Sequence, residues 1–176
     1  MFNLNDTILY GSHGVCTIVD ICKKDFCGDQ LEYYTLKPVY DNNASVIFVP
    51  TKNTDLTDKM RQILSAAEVH ALIHSMPDEQ FIWIENENER KMAYADIIRR
   101  GDRQELIQLI KTLHQHQENQ KANGKKLYVS DENFFREAEK LLYEEFAYVL
   151  HLQQDQVLPF ILDQIQIEEK NPKLLI

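Results

Sequence analysis

His70 and His74 stand four residues apart in a segment with helical periodicity. That spacing puts two imidazoles on one helix face, as two metal ligands require. No third ligand is close in the sequence, and the pair flanks an apolar stripe on its solvent side. Two ordinary surface histidines is the simpler reading. His13 with Cys16, Cys22 and Cys27 can also be drawn as a site. The three cysteines contain no Cys-x-x-Cys pair, so neither a zinc site nor a disulfide framework is indicated. Cys16 fits better as a small hydrophobe packed in a sheet, where it shares a strand parity with Cys22. No glycine-rich phosphate loop and no nucleophile elbow occur. The residues therefore point to no enzyme, no metal, no cofactor and no small-molecule substrate. A small metal-dependent enzyme built on His70 and His74 stands as the weakest alternative.

The remaining chemistry is charge and one indole. Basic residues gather in three small groups: Arg90 with Lys91; Arg99, Arg100 and Arg103; and Lys121, Lys125 and Lys126. Acids stand beside the first two groups, so each is first a solvated helix surface. A functional patch needs two groups to converge once the helices pack. Trp83, the single Trp, lies in the apolar island FIWI at residues 81–84, inside an acidic stretch. Such an island docks on a core or, if exposed, marks an interaction surface.

The formal net charge is −9. Residues 1–75 hold nine acids against six bases, and residues 76–176 hold 19 against 13. Non-specific nucleic-acid affinity comes mostly from phosphate neutralisation, so neither half advertises it. The opening residues MFNLND lack the basic start and apolar core of a signal peptide. No apolar run is long enough to span a bilayer. The expectation is a cytoplasmic monomer with no membrane partner.

The elements that must position these residues fall into two kinds. Residues 1–63 read as sheet. Apolar, β-branched runs flank Gly11-Ser-His-Gly14, which reads as a hairpin connection. Val15, Thr17, Val19 and Ile21 follow at the strand period of two. Residues 23–30 form a polar turn with Gly28 as pivot. Leu31, Tyr33 and Thr35 then alternate with Glu32, Tyr34 and Leu36. Asp41, Asn42 and Asn43 make a turn, and residues 45–49 form another strand closed by Pro50. Residues 59–63 supply a short last strand. Four or five short strands with tight turns predict a small bent antiparallel sheet of the SH3-like kind.

At Ser65 the period changes to 3.6. Ser65 and Glu68 form a capping box, opening a helix to about Ser75. Residues 76–88 read as linker. Four helices follow. One spans about residues 89–99 and ends at Gly101; the next is capped by Asp102. Residues 118–129 read as an exposed loop. The longest helix opens at Ser130, with Phe135, Ala138, Leu142, Phe146 and Val149 on one face. A short terminal helix starts at Asp155 and ends at Asn171 and Pro172. The fold class is α+β. Its expected division is a sheet domain at 1–63, a helix and linker at 64–88, a helical domain at 89–168 and a tail at 169–176.

Several of these stretches resemble one known family. YGSHGVCTIVDI at residues 10–21, then Gly28, EYYTLKPV at 32–39 and IFVP at 47–50 are similar to the N-terminal part of CarD/CdnL bacterial transcription regulators. That part in turn is similar to the RNA-polymerase-interacting domain of transcription-repair coupling factor. The likeness continues through IIRRGD at 97–102 and AEKLLYEEFA at 138–147, and covers residues 1 to about 150.

The resemblance implies a Tudor-like domain that binds the RNA polymerase β subunit. It also implies a helical domain near promoter DNA, an effect on promoter-complex stability and no catalysis. Carried over by residue, one basic position of the polymerase face is Lys24, and a second is filled by Phe48. The implied polymerase-binding residues are Lys24 and the strand Val46, Ile47, Phe48, Val49 and Pro50. An edge strand can bind through backbone hydrogen bonds that need no particular side chain. The DNA half departs from the family. The wedge Trp position falls on Glu87, and two basic positions fall on Met92 and Glu132. What survives for DNA is Trp83, Arg90, Lys91, Arg99 and Arg100, acting on promoter DNA only within the polymerase complex. An adaptor that grips a different protein and touches no DNA is the competing reading.

Overall fold

The computed structural model describes residues 2–26, 29–41, 43 and 45–170. Two compact units divide between Ile63 and Leu64. The first is the five-stranded antiparallel sheet of an α+β chain. Its strands are β1 (Thr7–Tyr10), β2 (Val15–Phe26), β3 (Asp29–Pro38), β4 (Ile47–Pro50) and β5 (Met60–Gln62). Their order is β4-β3-β2-β1-β5, an open sheet with β4 and β5 at its two ends. A four-residue helix, α1 (Thr54–Thr57), capped by the Asn53 side chain, precedes β5.

Gly11 and Gly14 both take positive φ, 48° and 72°, around a 3-10 turn between β1 and β2. A side chain at either position would be strained there. The expected polar turn at residues 23–30 is mostly strand. Pairing between β2 and β3 continues through Lys24 opposite Leu31 to Phe26 opposite Asp29. Cys27 and Gly28, where the pivot was placed, lie outside the described residues, as does Asn42 of the next turn.

A bulge between Ile18 and Asp20 changes which side chains share a face. One extra residue reverses the alternation beyond it. Cys16 and Ile18 are fully buried before the bulge, and Ile21 packs on the same core after it. Val19 is exposed. The expected single face of Val15, Thr17, Val19 and Ile21 is therefore broken, and so is the shared parity of Cys16 and Cys22. Ile8, Tyr10, Tyr34, Leu36, Val49 and Met60 complete this core.

The second unit is helical: α2 (Ala66–Ser75), α3 (Glu87–Arg100), α4 (Arg103–Ala122), α5 (Val129–Leu150) and α6 (Gln154–Lys170). The Ser65–Glu68 capping box is formed in both directions. Gly101 ends α3 in the left-handed region and Asp102 caps α4 through the Glu105 N–H. One expectation fails on length. α4 continues through Ala122, so the first part of the expected loop is helix. α6 has 17 residues, and Pro159 inside it leaves the Asp155 carbonyl without its helical donor. Its expected stop at Asn171 and Pro172 lies outside the described residues. Tyr94, Ile97, Leu109, Leu113, Phe135 and Ala138 centre the core, and Ile82, Trp83 and Ile84 pack against it. The apolar island is thus a docked segment, with Phe81 left exposed.

Candidate interaction faces

Among the described residues β4 pairs only with β3: Tyr33 faces Pro50, Tyr34 faces Val49, Thr35 faces Phe48 and Leu36 faces Ile47. Just beyond the strand, the Thr51 N–H donates to the Glu32 carbonyl at 2.9 Å. Residues in an antiparallel pair alternate between bonding their neighbour and pointing away from it. Residues 47, 49 and 51 therefore bond β3, while the backbone groups of Phe48 and the Pro50 carbonyl are directed to the other side of β4. Pro50 has no N–H to offer, which suits the end of an edge strand.

Directly opposed residues share a sheet face. Phe48 and Pro50 thus share the outer face with Thr35, Tyr33 and Cys22, and with Lys24 and Leu31 one pair further along. There the Lys24 ammonium sits 3.7 Å from the centroid of the Phe48 ring. Leu31 and Val46, 41% and 43% exposed, flank this pair with apolar surface. The six residues singled out in the sequence separate accordingly. Lys24, Phe48 and Pro50 present side chains outward, and Val46 precedes the strand. Val49, fully buried, and Ile47, half-buried, face the core and support the edge from behind. Tyr33 and Thr35 share this sheet face but are buried, 8% and 6% exposed, so they underlie it rather than present it. The alternation of residues 31–36 shows that they share a face, but only the register to β4 shows which one.

The helical unit treats its basic residues differently. Arg90 is 2% exposed and Asp131 is fully buried. Their pair is bidentate, Nε to Oδ1 and Nη2 to Oδ2, each at 3.1 Å. The Nη1 group donates to the Ile84 carbonyl at 2.9 Å and the Glu85 carbonyl at 3.2 Å. Arg90 therefore leaves the surface patch expected of it and fastens α3, α5 and the 81–85 segment together. Trp83 stacks on His116 with ring centroids 3.7 Å apart, and the Arg90 guanidinium lies 4.5 Å from its ring. Burial keeps the His116 imidazole below its ordinary pKa.

The exposed arginines are paired locally. Arg99 bonds Asp96 at 2.6 Å. Arg100 bonds Asp96 at 2.8 Å and Glu105 at 2.8 and 2.9 Å. Lys91 pairs with Glu87 four residues back. The Arg99 guanidinium holds the Asp96 carboxyl below the usual range, with Arg100 assisting, and Lys91 does the same for Glu87. The third member of that group, Arg103, bonds the buried Glu145 at 2.7 and 3.0 Å, and Glu145 also accepts the Leu64 N–H at 2.9 Å. Lys121 pairs with Glu118 on its own helix. The positions to which the resemblance assigns DNA contact, Glu87, Met92 and Glu132, lie on α3 and α5, with Met92 74% exposed. Neither Asp131 nor His116 stands out in the sequence. Asp131 reads there only as a helix-start acid, and its role needs the α3–α5 contact.

His70 meets Phe160 edge-on at 5.8 Å, and His13 stacks on Tyr10 at 5.6 Å. Among the described residues no three His, Cys, Asp or Glu side chains gather as a metal site. No helix among them is long and apolar enough to cross a membrane.

Residues 2–64 match the family model of the CarD-like/TRCF RID domain, and residues 68–161 match that of the CarD C-terminal domain. The chain belongs to the CarD family. A search of curated proteins gave no match. The two matched regions meet where β5 ends and α2 begins, and the second extends into α6, past the 150 or so residues of the resemblance. CarD proteins are non-enzymatic transcription factors, and the RID domain ties this one to RNA polymerase.

Proposed function

We propose that this CarD-family regulator binds the β subunit of RNA polymerase through the β4 edge and alters the stability of promoter complexes. It acts as a monomer in the cytoplasm. The observation that carries the reading is the edge position of β4, with Lys24 seated on Phe48 at its outer face. A partner strand added there is held by main-chain bonds, and the Lys24–Phe48 pair and Leu31 supply side-chain contact. A family position that is basic elsewhere thus works as Phe48, because the backbone makes most of the contact. The test changes Lys24→Glu and Phe48→Asp together and measures affinity for the β subunit. A loss of at least about tenfold is expected from reversing one charge and burying another. Undiminished affinity with an intact fold places the face elsewhere.

The helical unit contributes little DNA affinity of its own. Its arginines are bonded to carboxylates, and duplex binding needs several cations available for phosphate. Promoter DNA is approached only in the assembled complex, where polymerase raises the effective concentration. Trp83 is the candidate contact, on the condition that in the assembled complex it leaves its stack with His116 and Arg90, since a released apolar ring can stack at an unstacked base step. Lys91, Arg99 and Arg100 follow it on α3. Promoter-complex lifetime with Trp83→Ala, beside a gel-shift of protein alone, tests this. A shortened lifetime with no shift by protein alone is expected. An unchanged lifetime with the fold intact favours the adaptor reading, which the internal pairing of Arg90, Arg99 and Arg100 also supports.

A further inference from the structure

A cavity of about 370 Å³ opens between α4, α5 and α6, closed at one side by residues 76–81. Ile110, Leu142, Leu158, Leu162 and Phe81 give it apolar walls, and Glu139 stands among them. Leu158 and Leu162 are 43% and 50% exposed on the α6 side, so the cavity is open to entry. Neither the β4 edge nor the basic groups belong to it.

The polar groups of the cavity are unequally occupied. Lys111 donates to the carbonyls of Met76, Pro77 and Glu79 at 2.9, 2.9 and 2.7 Å. All three of its protons are thereby used, so it has no N–H left to donate to an acidic ligand, though its charge remains. Glu139 is half-buried, and the Tyr143 hydroxyl reaches it only at 3.4 Å. That distance is long for a hydroxyl–carboxylate bond. Burial holds the Glu139 carboxyl above the usual range, with Tyr143 and His114 pulling the other way more weakly. The Glu139 carboxyl stands in largely apolar surroundings with one long hydrogen bond, and so keeps acceptor capacity for a stronger donor. The rest of the wall is the kind of surface that takes an alkyl chain.

We infer that this cavity binds a small amphiphile with an apolar chain and a primary ammonium head, the head bonded to Glu139 and the chain lying along Ile110, Leu142, Leu158 and Leu162. The charge pattern selects against a fatty acid, whose carboxylate would meet Glu139 while Lys111 is engaged elsewhere. An alcohol of the same chain keeps the apolar contact and loses the ion pair. This inference does not depend on the polymerase or DNA readings.

Calorimetric titration of the full chain with n-octylamine, n-octanol and octanoate tests it. Saturable one-to-one binding of the amine is expected, with octanoate weaker by at least about tenfold, the scale of one charge-assisted bond gained or opposed. Glu139→Gln should weaken the amine by about tenfold and leave octanol nearly unchanged. Leu162→Arg, at an exposed position that tolerates charge, should abolish amine binding while circular dichroism shows the helices intact. No saturable amine binding, equal binding of octanoate, or an unchanged amine affinity in Glu139→Gln each overturns the inference. Self-association of the chain that Leu162→Arg removes overturns it too, since a second copy would then cover the groove.

Discussion

The β4 edge and the basic groups of the helical unit answer to different physics. In the contact proposed at β4 the binding elements are peptide groups, aimed by register, and side chains add to them. Phe48 stands where the resemblance implies a basic residue, and the Lys24 ammonium lies over its ring. In the helical unit any DNA contact would depend on side-chain charge. There Arg90 bonds Asp131, Arg99 bonds Asp96, and Arg100 bonds Asp96 and Glu105. Recognition by backbone tolerates substitution, whereas recognition by charge is cancelled by one neighbouring acid.

The largest expected effect tests whether Arg90 is structural. Asp131→Ala leaves a buried guanidinium without its counter-ion and should cost the helical unit about 3–5 kcal/mol in urea unfolding. Arg90→Met combined with Asp131→Leu should recover most of that loss, because no charge then stays buried. A small cost for Asp131→Ala alone would return Arg90 to the surface patch.

Next in size is the backbone test at β4. Phe48→Pro removes the donor on the side of β4 away from β3 and spares the ladder bonds of residues 47 and 49. It should reduce β-subunit affinity by more than about tenfold. Phe48→Ala removes the ring beneath Lys24 and should cost only about 0.5–1 kcal/mol. If alanine is as damaging as proline, side chains carry the interface and the contrast with the helical unit disappears.

A smaller effect comes from releasing the arginines. Asp96→Asn with Glu105→Gln frees Arg99 and Arg100, and should raise gel-shift affinity a few-fold with a steeper salt dependence. No change would mean that local pairing is not what silences this surface.

The smallest effect is on acid stability. The Ser65 N–H lowers the Glu68 carboxyl, Lys91 lowers Glu87, Arg99 lowers Asp96 and Lys121 lowers Glu118. A carboxyl lowered in the folded state adds stability above the ordinary carboxylate range and loses it as pH falls through the lowered values. All four lie in the helical unit, so its melting temperature should fall between about pH 5 and pH 2. The exposed pairs make this drop modest and reduced by salt.

Local chemistry settled much of this chain in advance. The Gly11–Gly14 turn, the Ser65–Glu68 box, the Gly101 stop and the Asp102 cap are decided within a few residues, and the sequence states each of them. The switch from period two to period 3.6 near Ser65 determined the α+β class in the same way. Tertiary structure decided what depends on distant partners. The bulge after Ile18 exchanged the faces of β2, which no alternation pattern reveals. Contact between α3 and α5 turned Arg90 from a surface cation into a buried tie, because Asp131 is 41 residues away in sequence and 3.1 Å away in space. The register of β3 against β4 brought Lys24 to Phe48, and packing of α4, α5 and α6 set Glu139 in an apolar groove. Caps and turns follow from backbone groups that must be satisfied locally, whereas the fate of a charge depends on which remote side chain the fold delivers to it.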